Sequence, residues 1–183
     1  MKLSKPTTSR IRTDFAIFNP WSGTLIERLP ETSQLEITST VARARIAAAS
    51  FRNSTPFQRR ELLNSLADLI GRDADTMAQT ICSEMGKTIT EARAEIRRAQ
   101  NTLRLSADAA TFLDGEVLHC GIISGGVDRQ AVVTYVPTGV VAAITPFNYP
   151  VNLLCHKLGP AIAAGNSIVV KPSPKAPLAA DHL

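Results

Sequence analysis

Two polar side chains, those of Asn148 and Lys171, stand where two short apolar runs of the chain end. Asn148 follows the run Val140–Ile144 and is flanked by prolines, in Thr-Pro-Phe-Asn-Tyr-Pro. Its side-chain amide can donate a hydrogen bond to an oxygen that gains negative charge, a contribution of about 3 kcal/mol to a transition state. Lys171 closes the run Ser167–Lys171, where a charge at the end of a buried strand needs a partner. These two side chains are the first candidates for a functional site.

Each candidate also has a purely structural interpretation. Asparagine favours the N-cap position of helices, where its side chain accepts a hydrogen bond from the first turn, so Asn148 could simply begin a helix. Lys171 could be an ordinary surface lysine. The residue types and their spacing leave both interpretations open.

The two apolar runs are predicted to be parallel strands joined by a helix. Both runs are short and rich in β-branched residues, which favours strands buried on both faces of a parallel sheet. A helical pattern fills Val151–Ala164, and Gly165-Asn166 is predicted to end it as a pair of αL caps. In such a βαβ unit ligands gather at the carboxyl ends of the strands, which is where Asn148 and Lys171 fall.

A layer of four helices is predicted upstream of this unit. Three of the helix starts are marked by capping boxes, in which a Ser or Thr and a Glu or Gln three residues later each bond the other's backbone. Gly71 and Gly86 mark two of the stops, and Asp114-Gly115 follows a third. The predicted starts are Ser33/Glu36, Thr55/Gln58, Asp73 and Thr88/Glu91, and the predicted stops are Arg52, Gly71, Gly86 and Leu113.

Two hairpins flank the helical layer in the sequence. Short β-rich runs at 15–20 and 24–29 surround Trp21-Ser22-Gly23, and runs at 117–123 and 131–136 surround Ser124-Gly125-Gly126. The predicted fold class is therefore α/β: an N-terminal hairpin and a helical layer lead into the first half of a Rossmann-like parallel sheet.

Three segments in the last third of the chain resemble the NAD(P)-dependent aldehyde dehydrogenase superfamily. They are PTGVVAAITPFNYP, HKLGPAIAAGN and VVKPSPKAP, and they follow one another in the family's order and spacing. The resemblance extends upstream through EMGKTITEARAEI and FNPWSGTLIERLP. It covers nearly all of the chain, but only an N-terminal portion of such an enzyme.

The resemblance implies a site in which Asn148 supplies one half of an oxyanion hole and in which NAD or NADP binds beyond the two strands. In the family, a lysine at the position of Lys171 hydrogen-bonds the adenosine ribose. Pro174 stands where many NAD-preferring members carry a glutamate. Without that carboxylate the 2′-phosphate of NADP is not repelled, so the resemblance allows either NAD or NADP. The implied cofactor-binding residues are Ile144, Thr145, Pro146, Phe147, Lys171, Ser173 and Pro174.

The implied activity is the oxidation of an aldehyde to a carboxylic acid. In the family a cysteine thiolate attacks the aldehyde, hydride leaves to the nicotinamide, and water hydrolyses the thioester. The family's nucleophilic cysteine and general-base glutamate have no counterpart in this chain, so the 183 residues alone are predicted to be inactive. Two alternatives stay open: an acylating relative that uses coenzyme A, and a non-catalytic truncated fragment or interaction partner.

The resemblance also implies how the chain is organised. Residues 1–183 correspond to a truncated N-terminal part of the cofactor-binding domain, because residues 176–183 are typical of the opening turns of a helix. The hairpin at 116–136 belongs, in the family, to an oligomerisation element. We therefore expect a homo-oligomer for the full-length enzyme.

Composition argues against several other classes of protein. The net charge is only +4 and the basic residues are scattered through helical patterns, which argues against a nucleic-acid surface. No apolar run is long enough to span a bilayer. Three cysteines without a secretory signal indicate a reducing compartment, the cytoplasm. Residues 1–12 are basic and hydroxyl-rich without an apolar core, which is typical of a disordered leader.

No metal site is predicted. The pairs His119-Cys120 and Cys155-His156 have the residue types of zinc ligands. Neighbours along a strand point to opposite faces, however, so each pair would supply at most one ligand.

Overall fold

The chain forms helices and small sheets in the order that the sequence predicts. The structure, a computed structural model, describes residues 14–183, so the leader predicted at residues 1–12 lies outside the described residues. The elements are β1 (Asp14–Phe18), β2 (Leu25–Pro30), α1 (Gln34–Phe51), α2 (Pro56–Arg72), α3 (Ala74–Met85), α4 (Ile89–Ala109), β3 (Glu116–His119), β4 (Gln130–Val133), β5 (Val140–Ile144), α5 (Pro150–Ala163), β6 (Ser167–Lys171) and α6 (Leu178–Asp181). The predicted α/β class is confirmed.

The helix starts are where the sequence places them. All three capping boxes form, with Ser33, Thr55 and Thr88 as N-caps, because each needs only two side chains three residues apart. Gly86 ends α3 with a positive φ of 70°, as expected of a glycine C-cap. Asp73 does precede α3, but its side chain makes no capping hydrogen bond.

Two of the predicted helix ends are wrong. Gly71 does not stop α2, which runs on to Arg72 because the backbone ladder continues to the Asp73 N–H, bonded to the Leu69 carbonyl. α4 ends at Ala109 rather than Leu113, since the N–H groups of Thr111 and Phe112 bond carbonyls three residues back in a tighter turn.

α4 forms the centre of the helical layer and packs against α2, α3 and α5. Its buried residues recur every three or four positions, as an amphipathic helix requires. They are mostly small, which lets the neighbouring helices approach closely. The buried residues of α4 are Ala92, Glu95, Ile96, Ala99, Leu103, Ser106 and Ala107.

β5 and β6 pair in parallel and α5 connects them, as predicted. Gly165 adopts the αL conformation after α5, but Asn166 does not. The Asn166 side chain instead accepts hydrogen bonds from Thr138 Oγ1 (3.0 Å) and the Gly139 N–H (2.9 Å), which ties the starts of the two strands together. The prediction of a pair of αL caps is therefore confirmed for Gly165 and wrong for Asn166.

The expectation that β5 is buried on both faces is also wrong. Ala143 is 1% exposed, whereas Ala142 is exposed and Ile144 is 67% exposed. Within residues 14–183 β5 pairs with β6 alone, so this sheet has two strands. The face of β5 that carries Ala142 and Ile144 therefore contacts solvent in this chain.

The second hairpin stands apart from the helical layer. β3 and β4 are antiparallel and exposed at every residue, and both are shorter than the predicted runs at 117–123 and 131–136. Turns fill the connection between them, with hydrogen bonds such as Gly126 N–H to the Ile123 carbonyl. No helix within residues 14–183 combines the length and the apolar character needed to cross a membrane.

Candidate functional site

The carboxyl ends of β5 and β6 lie side by side. Ile144 is paired with Lys171 in the parallel register, and the Thr145 N–H donates to the Lys171 carbonyl oxygen at 3.2 Å. The segments that follow, 145–149 and 172–176, therefore leave the sheet along the same edge. This geometry brings the sequence-predicted site residues together.

Apolar and cationic side chains share the exposed surface at this edge. Ile144 is 67% exposed and Phe147 is 42% exposed. The Lys175 ammonium lies 4.7 Å from the centroid of the Phe147 ring, a cation–π contact. Lys171 is exposed, and its Nζ donates to the Pro172 carbonyl at 3.1 Å, so the expectation of a charge on a buried strand is wrong.

Polar atoms lie just beneath this surface. Thr145 is buried, and its Oγ1 has no hydrogen-bond partner among the described residues. Ser173 is also buried, and its Oγ accepts from the Lys175 N–H at 3.3 Å. Pro146 and Pro174 are exposed. The edge thus has an apolar surface and two ammonium groups, with an unpartnered hydroxyl buried beneath them.

Asn148 is exposed and lies beyond β5, at the same edge. The N-cap of α5 is the next residue, Tyr149, with φ −142° and ψ 74°. Asn148 therefore does not cap α5, and the structural interpretation of its side chain is wrong. The amide remains accessible to a ligand.

α5 begins without a local cap. Tyr149 makes no side-chain capping bond within the described chain, and Pro150 has no N–H. The N–H groups of Val151 and Asn152 donate instead to Glu95 Oε1 on α4, at 3.0 and 3.2 Å. A carboxylate from another helix thus satisfies the positive end of α5.

Lys87 completes this arrangement. Its Nζ donates to Glu95 Oε2 at 2.8 Å and lies 3.9 Å from the centroid of the Tyr149 ring. The Glu95 side chain is fully buried and the Lys87 side chain is 17% exposed. Glu95 is not among the site residues predicted from the sequence. The available signal was a carboxylate within the apolar stripe of α4, since such a charge needs a partner.

Burial disfavours the reactive thiolate form of Cys155 and Cys82. Burial, with a smaller effect of the nearby Glu95 carboxylate, raises the pKa of Cys155 to about 12, so that thiol stays protonated. Burial also raises the pKa of Cys82, although Arg93 opposes it. Among the described residues no three of His, Cys, Asp and Glu cluster as metal ligands.

Two open cavities lie at the other end of β5. Their volumes are about 440 and 430 Å³, and both are lined by Arg52, Pro137 and Thr138 near the amino ends of the strands. Neither lining includes a carboxylate, a cysteine or a histidine. Asn148 and Lys171 lie at the opposite, carboxyl ends, so the cavities are separate from the candidate site.

Comparisons with known proteins point to one family. A family profile described as the aldehyde dehydrogenase family matches residues 7–183. Aspartate-semialdehyde dehydrogenase 1 from Pseudomonas canavaninivorans is 36% identical over 98% of this chain and 38% of its own length. The 3-sulfolactaldehyde dehydrogenase from Priestia megaterium is 47% identical over 69% of this chain and 26% of its own length.

Solved structures show the same likeness. The NADP-dependent glyceraldehyde-3-phosphate dehydrogenase from Bacillus halodurans, complexed with NADP, superposes with a TM-score of 0.88 at 34% identity. The match covers 92% of this chain and 36% of that structure's chain. The fold is that of the N-terminal part of an α/β dehydrogenase, and the chain belongs to the aldehyde dehydrogenase family.

Proposed function

We propose that residues 1–183 form the N-terminal part of an NAD(P)-dependent aldehyde dehydrogenase that oxidises an aldehyde to a carboxylate. The observation that carries this proposal is the exposed amide of Asn148, which follows the carboxyl end of β5 at the same sheet edge as Lys171. In parallel sheets this edge is where ligands bind. The family membership of the chain supports the same reaction.

Asn148 acts in the chemical step. As a thiolate adds to the aldehyde, negative charge develops on the carbonyl oxygen, and the Asn148 amide donates a hydrogen bond to it. One such donor lowers the barrier by about 3 kcal/mol. We infer that the nucleophilic cysteine and the general base come from outside residues 1–183, because the family's counterparts of both are missing from this chain. Burial also keeps the Cys155 thiol protonated.

The residues at the edge fit a dinucleotide. Exposed Ile144 and Phe147 offer an apolar surface to a flat ring, and the Lys171 ammonium can turn from the Pro172 carbonyl to ribose hydroxyls. The Thr145 hydroxyl lies beneath this surface without a partner among the described residues. NAD or NADP, when bound, supplies the hydride acceptor. Ser173, Pro146 and Pro174 complete the wall of the site.

NADP is as compatible with this surface as NAD. Pro174 places no carboxylate against a 2′-phosphate, and the Lys175 ammonium lies close by, over the Phe147 ring. The Bacillus halodurans structure that superposes on this chain is an NADP complex. We infer that either cofactor binds.

Two further assignments extend the proposal. We infer that the hairpin at 116–136 is part of an oligomerisation element, because its exposed side chains include Val117, Leu118 and Val132. The full-length enzyme would then be a homo-oligomer. We place the protein in the cytoplasm, since its three cysteines are free thiols. Coenzyme A-dependent acylation and a non-catalytic role remain the competing functions.

The test uses a chimera, because the chain spans 38% of the length of its relative from Pseudomonas canavaninivorans. The 183 residues replace the matching segment of that aspartate-semialdehyde dehydrogenase, and reduction of NAD or NADP is followed by absorbance. We expect turnover, and an Asn148→Ala variant whose kcat is lower by about 10²–10³-fold. Lys171→Met should raise the KM for the cofactor and leave kcat nearly unchanged.

Asn101→Ala, at an exposed asparagine on α4, is the matched control. Its kcat should equal that of the parent chimera. If Asn148→Ala retains kcat within about threefold, Asn148 is not an oxyanion donor. Acyl transfer to coenzyme A in place of water would favour the acylating alternative, and a monomeric chimera on a sizing column would contradict the oligomer assignment.

A further inference from the structure

We propose that Lys87 and Glu95 are positioning residues of this site, and that together they fix the turn 145–149 that carries Asn148. The inference rests on the function proposed for Asn148. Neither side chain touches a reacting atom in this proposal. Both act by deciding where α5 begins and how the residue before it is oriented.

Glu95 determines the start of α5. The first helical bond is made by the Leu153 N–H to the Tyr149 carbonyl, at 2.9 Å. The two N–H groups before it, of Val151 and Asn152, both donate to Glu95 Oε1. Because Pro150 has no N–H, every donor of this first turn is accounted for, and the one acceptor outside the helix is Glu95.

Lys87 links that carboxylate to the turn. The same ammonium that bonds Glu95 Oε2 at 2.8 Å lies 3.9 Å above the Tyr149 ring. Tyr149 follows Asn148 directly in the sequence. The turn is therefore held on its C-terminal side at the backbone of α5, through Glu95, and at the Tyr149 ring, through Lys87.

The position of Lys87 is itself fixed. Gly86, before it, has a φ of 70°, and the Gly86 carbonyl accepts a hydrogen bond from Trp21 Nε1 at 2.9 Å. Thr88, after it, begins α4 with a capping box completed by Glu91. The backbone on both sides of Lys87 is therefore held in place, which limits how far its ammonium group can follow a moving turn.

The burial of the pair suits this role. Glu95 accepts three hydrogen bonds with its two oxygens and is fully buried, so its charge is compensated at one geometry only. A buried pair of this kind is weak evidence of added stability, but it favours one arrangement over others. A displacement of about 1 Å at a catalytic group can cost about 10²-fold in rate, so fixing the turn matters for Asn148.

The experiment uses NMR on the 183-residue chain. The chain has two tyrosines, Tyr135 and Tyr149, so 3-fluorotyrosine labelling gives one signal at the site and one internal reference. Asparagine labelled with ¹⁵N reports the Asn148 side-chain amide. The variants are Lys87→Met, Glu95→Gln and the conservative Lys87→Arg.

We expect Lys87→Met and Glu95→Gln to shift the Tyr149 fluorine signal and the Asn148 amide signals, with the Tyr135 signal unchanged. Lys87→Arg should restore the Tyr149 fluorine signal and the Asn148 amide signals to their positions in the parent chain. Arg98→Met is the matched control, because its guanidinium carbon is 6.0 Å from the centroid of the same ring, and it should change the Asn148 signals much less. Far-UV circular dichroism identifies the folded variants, and Lys87→Met decides the question if Glu95→Gln unfolds.

Asn148 amide signals that are the same in Lys87→Met and in the parent chain would overturn the proposal. Kinetics separate this result from a failure of the proposed function. In the chimera Lys87→Met should lower kcat at least tenfold while the cofactor KM stays within twofold, with little further loss in an Asn148→Ala background. If Asn148→Ala alone has no effect, the proposed function fails and the NMR result still decides whether Lys87 and Glu95 position the turn.

Discussion

Replacing Gly159 by alanine tests whether the contact between α4 and α5 is as close as the structure shows. Gly159 lies within α5 opposite Ser106 of α4. A Cβ added at Gly159 would lie 2.4 Å from Ser106 Oγ and 2.9 Å from Ser106 Cβ. The hydroxyl can rotate away, but the Cβ of Ser106 moves only with its backbone. The two helices must therefore separate slightly.

The expected loss follows from two opposing effects. Alanine is favoured over glycine in a helix by about 1 kcal/mol. Overpacking of a close contact costs about 1–3 kcal/mol, and a contact this short falls at the upper end. We therefore expect Gly159→Ala to lower the free energy of unfolding by about 2 kcal/mol.

Gly71→Ala is the matched control within α2. A Cβ there would lie 2.5 Å from Gln100 Nε2, the far end of a flexible side chain. Gln100 can move at the cost of its hydrogen bond to the Ala67 carbonyl, about 1 kcal/mol, which the gain in helix propensity offsets. The free energy of unfolding should stay nearly constant.

Urea unfolding followed by far-UV circular dichroism measures all of these variants. The double variant Gly159→Ala/Ser106→Gly removes both short contacts, so we expect a favourable coupling energy of about 1–2 kcal/mol between the two positions. If Gly159→Ala is as stable as Gly71→Ala, or if the coupling energy is zero, α4 and α5 are not in close contact at these two residues. The placement of the start of α5 would then lose its support.

Two titratable groups give further predictions. Desolvation by burial raises the pKa of the Glu84 carboxyl and outweighs the hydrogen bonds that it accepts from the N–H groups of Leu178 and Ala179. The folded chain therefore holds the proton of the Glu84 carboxyl more tightly than the unfolded chain does. Its contribution to stability is present below the ordinary carboxyl pKa and is lost as pH rises through the folded pKa. The difference in free energy of unfolding between the parent chain and Glu84→Gln should accordingly shrink as the pH rises from the ordinary carboxyl pKa through the folded pKa. A constant difference would contradict the raised pKa of Glu84. The raised pKa of Cys155, about 12, predicts that iodoacetamide at pH 8 modifies the partly exposed Cys120 in the native chain and reaches Cys155 only in urea, as peptide mass spectrometry can show; equal native rates would refute this.

Local signals in the sequence predicted much of the fold. Ser33, Thr55 and Thr88 begin helices because each capping box lies within four residues and needs no tertiary contact. The bounds of β5 and β6 were also predicted correctly, since short β-branched runs end at Pro-rich segments. The exposure of Ile144 and Lys171 was not predicted, because it depends on what covers the sheet rather than on the run itself.

Glu95 shows why the remaining part of the site escaped prediction. Its partners, Lys87 on one side and Val151 and Asn152 on the other, are joined by the packing of α4 on α5, which no local pattern specifies. Two separate oddities in the sequence nevertheless point to it. A helix that begins at Pro150 after a tyrosine has no local acceptor for its first N–H groups, and α4 carries one carboxylate within its apolar stripe. An unsatisfied helix start and an uncompensated buried charge each cost free energy alone. Because each satisfies the other, the pairing of α4 with the start of α5 follows from the polar groups as well as from the apolar faces.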